Sequence, residues 1–187
     1  MKVPATLTVN GTSYPVELDP HVSLLRAVRD ELGLTGSKEG CDDSECGACM
    51  MLLDGKPVNS CSYLALQAEG RDVTTIEGLA GEEEIGPLQR AFLQQFGVQC
   101  GFCTPGMLIS ATALLSTNPD PTDDEIRIGL SGNLCRCTGY DGIVKAVRQA
   151  AAGDVAPLGE PPVHADATAP HHAAPHAPAA ADGKRPQ

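Results

Sequence analysis

The sequence predicts an α+β fold in two parts, a small mixed-sheet domain followed by a helical one, and three observations carry it. In the first part apolar and polar residues alternate around two tight-turn dipeptides, Asn10-Gly11 and Asp54-Gly55. In the second part the apolar residues recur at helical spacing. The eight cysteines divide evenly between the parts: Cys41, Cys46, Cys49 and Cys61, then Cys100, Cys103, Cys135 and Cys137.

Residues 3–18 read as a hairpin. Leu7 and Val9 alternate with threonines, Asn10-Gly11 supplies the positive-φ turn, and Tyr14, Val16 and Leu18 resume the alternation. Leu24, Leu25, Val28 and Leu32 then fall at helical spacing, with Ser23 or Asp19 to cap the start and Gly33 to end it. Gly33 to Gly47 is a glycine-rich loop bearing Cys41 and Cys46, with Cys49 just beyond. Met51, Leu52 and Leu53, the Asp54-Gly55 turn and Val58 make a second hairpin that leads to Cys61. These elements define a first domain over 1–78. The polar, glycine-bearing stretch from Glu77 to Gly86 reads as a connection, with 79–86 as the linker itself.

The second domain, 87–153, is expected to be helical throughout. Leu88, Phe92, Leu93 and Phe96 form one stripe that ends at Gly97. Thr104-Pro105 starts the next helix, with proline at its first position, and Met107, Leu108, Ala111, Leu114 and Leu115 carry it to Asn118-Pro119. Thr122 and Glu125 form a capping box before Ile126 and Leu130, and Ile143, Val144 and Val147 mark a last helix. Four short helices with thiols at their ends suggest a small helical bundle. Beyond it, 154–187 is rich in Ala, Pro and His and is expected to be a disordered tail. His164, His171, His172 and His176 lie there at irregular spacing with no other ligand type among them, which favours a solvated extension over a metal site.

Composition narrows the function. The chain has 187 residues and 42% apolar content but only three Tyr, three Phe and no Trp. A core so poor in rings, split between two small units, gains from an added cross-link such as metal ligation. The net charge of −11 disfavours a nucleic-acid surface. The first residues hold no apolar signal core and no twin-arginine pair, and no stretch approaches membrane-spanning length, so the expectation is a cytoplasmic protein without a membrane span. In a reducing compartment clustered thiols hold metal rather than each other.

Cys41-x4-Cys46-x2-Cys49, with Cys61 eleven residues on, has the plant-type ferredoxin spacing for a [2Fe–2S] centre. Gly36, Gly40 and Gly47 suit a loop that must bring backbone N–H groups up to sulfur. Structural zinc usually takes two close pairs, which this is not. The second set, Cys100-x2-Cys103 and, 31 residues on, Cys135-x-Cys137, is by spacing alone compatible with zinc or iron–sulfur. Cys103 immediately precedes a helix start, where an anionic iron–sulfur centre is stabilised, and that favours the second option.

Both spacings together, with Gln99-Cys-Gly-Phe-Cys-Thr-Pro-Gly106 and Gly132-Asn-Leu-Cys-Arg-Cys-Thr-Gly-Tyr140, resemble the small iron–sulfur subunits of the xanthine oxidase family of molybdenum hydroxylases. That family includes carbon monoxide dehydrogenase, isoquinoline and nicotinate oxidoreductases and 4-hydroxybenzoyl-CoA reductase. The resemblance covers about residues 3–152. It implies a plant-ferredoxin-like, β-grasp N-terminal domain and a C-terminal four-helix bundle. It also implies two [2Fe–2S] clusters, a large molybdopterin subunit contacted through Gln99 and Cys137, and a medium FAD subunit. Two departures stand out: Met50-Met51 where the family commonly has Thr-Val, and the histidine-bearing tail.

The sequence carries no dinucleotide or phosphate-loop glycine pattern, no His-Glu-x-x-His and no nucleophile elbow; Gly33-Leu-Thr-Gly-Ser-Lys38 only superficially suggests a phosphate loop. Arg136, between two thiols, reads equally as a residue that tunes a cluster or as a surface arginine that meets a partner. With no acid, base or nucleophile in a catalytic pattern, the expectation is an electron-transfer subunit. It would relay electrons from a molybdopterin centre through the second and then the first cluster to a flavin or other acceptor. The alternative is a free-standing two-cluster ferredoxin.

Overall fold

The chain opens on a five-stranded mixed sheet in the computed structural model, which describes residues 1–81 and 85–157. Strands β1 (Val3–Val9) and β2 (Thr12–Leu18) pair antiparallel with Val9 opposite Thr12. Asn10 at φ 52° and Gly11 at φ 77° provide the left-handed pair that a two-residue hairpin turn requires. Strands β3 (Met50–Leu53) and β4 (Lys56–Asn59) repeat the arrangement around Asp54 and Gly55. Between the hairpins lies β5 (Asp72–Thr74), parallel to β1 and antiparallel to β3, giving the order β2-β1-β5-β3-β4. The sequence reading did not contain β5. It has three residues and one buried side chain, Val73, too little to show a period.

Helix α1 (Leu24–Arg26) runs on as a π-helical turn over Ala27–Glu31, and Leu24, Leu25 and Val28 seal one side of the sheet. Of the two candidate caps it is Ser23 that accepts the Arg26 N–H, at 3.3 Å; Asp19 instead accepts the N–H of His21. All four residues of β3 are buried, because the strand has a core on each face. Met51 and Leu53 join the sheet's core, while Met50 and Leu52 pack on Ile109 and Ala113. An uninterrupted apolar strand is what burial on both faces demands, and Met50-Met51 meets that demand with flexible side chains.

The second half holds α2 (Pro87–Gln94), α3 (Thr104–Thr117), α4 (Asp123–Gly129) and α5 (Asp141–Ala151) around Phe92, Met107, Ile126, Ile143 and Val147. The capping box of α4 is formed: the Thr122 hydroxyl accepts the Glu125 N–H at 3.3 Å and the Glu125 carboxylate accepts the Thr122 N–H at 2.7 Å. Pro105 is the second residue of α3, not the first. The stripe expected on α2 is only half present. Phe92 is buried, but Leu93, within the helix, is 47% exposed, and Phe96 is 83% exposed because the helix ends at Gln94 and Phe96 takes φ 55°, outside it.

The connection is shorter than its polarity suggested. Ile76–Leu79 forms a 3₁₀ turn whose Ile76 and Leu79 pack on the helical core. The Glu77 carboxylate accepts from the Gly36 N–H at 2.8 Å and from the Thr75 hydroxyl at 2.5 Å. Residues 82–84 and the Ala/Pro/His extension from 158, with its four histidines, lie outside the described residues. The two cores stay distinct, yet Met1–Pro157 packs as one unit. Among the described residues no helix is long and apolar enough to cross a membrane.

Asn10 links the first hairpin to the cysteine loop. Its side chain accepts the N–H of buried Thr75 and donates to the Thr75 hydroxyl, both at 2.9 Å, and Thr75 bonds Glu77, which in turn holds Gly36. Asn10→Gly keeps the turn but orphans the Thr75 N–H, so it is expected to cost about 1–3 kcal/mol in urea unfolding. Asn10→Ala, which adds strain at positive φ, should cost more; wild-type stability in Asn10→Gly would show that the side-chain bonds contribute nothing.

Candidate metal centres

The first thiol set sits on a loop shaped by three left-handed residues, Asp42, Ser44 and Gly47, at φ 59°, 70° and 68°. Such reversals turn backbone N–H groups inward, and the Cys46 N–H points to Cys41 Sγ at 3.4 Å. The loop is fastened from both sides. Arg26 pairs with Glu39 at 3.3 Å and Asp42 at 3.1 Å, and Arg29 donates to the carbonyls of Thr35 and Ser37 at 2.7 and 2.6 Å. From the other side Asn59 donates to the Ser44 carbonyl at 3.0 Å, Ser60 donates to the Cys49 carbonyl at 2.6 Å, and the Ser44 and Ser62 hydroxyls bond each other. Gly40 leaves the room the loop needs, since a Cβ there would stand 2.8 Å from Cys46 Sγ.

Within this set Cys41 and Cys46 are half-buried, while Cys49 and Cys61 are 2% and 8% exposed. Burial, then the adjoining Cys61 thiol, pushes Cys49 up to about 12. The Asp43 side chain pushes Cys41 upward, but the N–H groups of Asp43 and Cys46 outweigh it and hold the thiol below its ordinary value.

The second set gathers at the N-terminus of α3 and in the turn before α5. Cys103 is the residue immediately before α3, and its carbonyl accepts the Met107 N–H at 3.0 Å. Cys100 and Cys137 are exposed, with sulfurs 3.5 Å apart. Cys103 and Cys135 form the inner, half-buried pair. Thr138 donates to Cys135 Sγ from its hydroxyl at 3.1 Å and its N–H at 3.5 Å, and the Tyr140 hydroxyl accepts the Cys135 N–H at 2.8 Å. Burial raises Cys135, but the Thr138 donors outweigh it and lower the thiol; burial, then Cys135, pushes Cys103 up to about 12. The Phe102 N–H, then Cys137, lowers Cys100, and Cys100 raises Cys137. Gln99 is exposed beside Cys100, and Arg136 is exposed between Cys135 and Cys137.

All eight cysteines are free thiols. Among the described residues no group of three or more Cys, His, Asp or Glu is arranged to hold a single metal ion. The thiols stand two by two instead, an outer and an inner pair in each set. A mononuclear site needs its ligands around one point, whereas a two-iron centre takes a pair at each iron. The donor set and its grouping therefore fit a [2Fe–2S] group. Because only thiolates ligate, the buried Cys49 and the half-buried Cys103 would give up their protons on binding.

Sequence reasoning missed the residues that join the two sets. Asn133 is 3% exposed and donates to the Gly47 carbonyl at 3.0 Å. The Leu134 N–H donates to the Cys46 carbonyl at 2.9 Å. Gly106 on α3 lies so near that a Cβ there would stand 2.1 Å from the Gly47 oxygen. Gly-Asn-Leu before a cysteine pair was the available signal, but a lone polar residue among glycines also reads as an ordinary turn.

Comparison with known proteins places the same groupings in known domains. Residues 7–79 match the 2Fe-2S iron-sulfur cluster binding domain and residues 75–148 match the [2Fe-2S] binding domain. The chain is 48% identical over 149 residues to the nicotinate dehydrogenase small FeS subunit of Eubacterium barkeri, covering 80% of this chain and 95% of that one. It is also 48% identical to the nicotine 6-hydroxylase small subunit of Paenarthrobacter nicotinovorans, covering 80% and 90%. Among solved structures, a chain of quinoline 2-oxidoreductase from Pseudomonas putida 86 superposes with TM-score 0.79 at 44% identity, covering 81% of this chain and 94% of that one.

The glycine seam can be tested within one small patch. Gly106→Ala drives a Cβ into the Gly47 backbone and is expected to lower stability by about 1–3 kcal/mol despite alanine's better helix propensity. Gly132→Ala, with nothing within 4 Å of its Cβ, should stay within about 0.5 kcal/mol of wild type. Thermal unfolding of the two variants side by side reads the difference; equal stability would mean that the close approach is not maintained.

Proposed function

Since the chain belongs to the small [2Fe–2S] iron–sulfur subunits of the xanthine oxidase family of molybdenum hydroxylases, we propose that it relays electrons within such an oxidoreductase and leaves substrate chemistry to a partner. Cys41, Cys46, Cys49 and Cys61 hold one [2Fe–2S] centre, and Cys100, Cys103, Cys135 and Cys137 hold the other. Each centre, when bound, accepts and releases one electron. The carrying observation is the grouping of all eight free thiols into two sets, each with a more exposed and a more buried pair. The relatives described above are named as subunits, which supports this reading over a free-standing ferredoxin.

The protein's own groups set the environment of each centre. Backbone N–H donors at Asp43 and Cys46, and the donors of Thr138, face sulfurs that carry negative charge on ligation, and hydrogen bonds to sulfur raise a centre's potential. The 1–78 and 87–153 segments act as the ferredoxin-like and four-helix-bundle domains, joined through 79–86. Gln99 and Cys137, both exposed, face the molybdopterin of a large subunit. Electrons enter at that side, pass to the N-terminal centre and leave for an FAD-bearing medium subunit or another acceptor. The assembly is cytoplasmic.

Metal analysis of the purified protein is the direct test: about four irons and four sulfides per chain are expected, and zinc in a colourless protein would overturn the assignment. Purified from its native host, the chain should bring a molybdopterin subunit with it. Gln99→Ala should weaken that association or slow reduction by substrate at unchanged iron content; undiminished association and rate would remove Gln99 from the interface.

Cys46→Ser should alter one of two [2Fe–2S] signals in electron paramagnetic resonance of the substrate-reduced complex and leave the other in place. Loss of both signals in a folded protein would contradict the division into two separately held centres.

A further inference from the structure

Among the described residues one backbone hydrogen bond joins the loops of the two thiol sets, from the Leu134 N–H to the Cys46 carbonyl at 2.9 Å. Its ends are well placed. Cys46 is itself in the first set, and Leu134 precedes Cys135 of the second. A bonded route therefore runs from Cys135 Sγ through its own backbone into the Leu134 amide, across the hydrogen bond, and along Cys46 to its sulfur. Electronic coupling decays less across bonds and hydrogen bonds than across van der Waals gaps, so the upkeep of this one bond matters.

Leu134 does little to hold it, since its side chain is 57% exposed. Its neighbour does more. Asn133 is 3% exposed and grips the Gly47 carbonyl, one residue from Cys46, at 3.0 Å. Only the amino end of a carboxamide can face a carbonyl oxygen, which fixes the side chain's orientation and leaves its buried oxygen without a protein partner. The surroundings admit no slack: a Cβ at Gly47 would stand 2.3 Å from the Gly132 carbonyl oxygen and 2.6 Å from Asn133 Nδ2.

We propose that Asn133 is a positioning residue for electron transfer between the two centres: clamped on Gly47, it keeps the Leu134 N–H on the Cys46 carbonyl and so completes the bonded route from Cys135 to Cys46. The inference rests on the two-centre reading above. One electron crosses, an iron on the C-terminal side going from ferrous to ferric as one on the N-terminal side goes from ferric to ferrous. No bond is made or broken and no proton moves.

The test uses the intact complex. In wild type the Leu134 amide should be protected from hydrogen exchange despite its exposed side chain; an unprotected amide overturns the proposal before any variant is made. In Asn133→Ala that amide should exchange about tenfold faster, the order of a lost hydrogen bond to a buried carbonyl. Freeze-quench electron paramagnetic resonance should show the N-terminal centre being reduced several-fold more slowly, at unchanged iron content and unchanged midpoint potentials. Faster exchange with an unaltered transfer rate refutes the role in electron transfer. Loss of iron from the variant assigns Asn133 to holding a centre and equally refutes it. Failure of wild type to show two [2Fe–2S] signals is a different result, which removes the two-centre reading itself.

Discussion

The arrangement depends on one backbone contact, the Gly47 carbonyl pressed between Gly106 of α3 and the Asn133 side chain. Three separate stretches must reach the same few ångströms: the first cysteine loop, the first turn of α3 and the turn before Cys135. Each arrives with a residue that makes room or makes a bond. Gly47 supplies the left-handed φ and Gly106 the missing Cβ, while Asn133 supplies the Gly47 carbonyl with a second donor beside the Met50 N–H at 3.1 Å. The packing of Met50 and Leu52 on Ile109 and Ala113 brings the halves together in general, but apolar contacts tolerate sliding. The polar seam does not, and it fixes the register between the two thiol sets.

A chain with net charge −11 that gathers eight thiols, each anionic in the ligation proposed above, has an electrostatic problem. It meets the problem with backbone and hydroxyl donors. The left-handed residues of the first loop turn N–H groups toward sulfur, and Thr138 does the same for Cys135 with both its N–H and its hydroxyl. Arg26 and Arg29 hold the first loop from outside through carboxylates and carbonyls. Cation charge is thus used to shape the loop, and short-range donors, mostly backbone N–H groups, are used at the sulfurs themselves.

Much of this was legible in the sequence, and the reasons differ by element. The hairpins were legible because Asn10-Gly11 and Asp54-Gly55 each force one turn geometry on alternating strands. The capping box of α4 was legible because it is wholly local. Strand β5 was not, since its existence depends on β1 and β3 being there to receive it. The end of α2 was misread because Leu93 and Phe96 fit a helical stripe that the backbone abandons at Gln94. Glu77 looked like linker because the partner that ties it into the fold, the Gly36 N–H, lies far back in the chain, and its one local partner, the Thr75 hydroxyl, leaves no pattern in the sequence. The thiol sets could be read from spacing, whereas their joining through Asn133 and Gly106 is long-range and leaves no period behind.

The two sets also differ in what they present outward, and that difference bears on how the chain works. Cys49 and Cys61 turn inward and leave Cys41 and Cys46 toward a rim of Glu39, Asp42, Asp43 and Glu45. Cys100 and Cys137 are exposed instead, and Phe102 and Leu134, each within three residues of them, are 47% and 57% exposed. A carrier that met its partners only in passing would gain nothing from keeping large apolar side chains in water beside its most accessible thiols. A subunit that buries that side against a permanent partner gains from doing so, because desolvation there removes apolar surface and shields the thiols at once. An exposed acidic rim at one set and apolar side chains at the other give the chain two unlike ends.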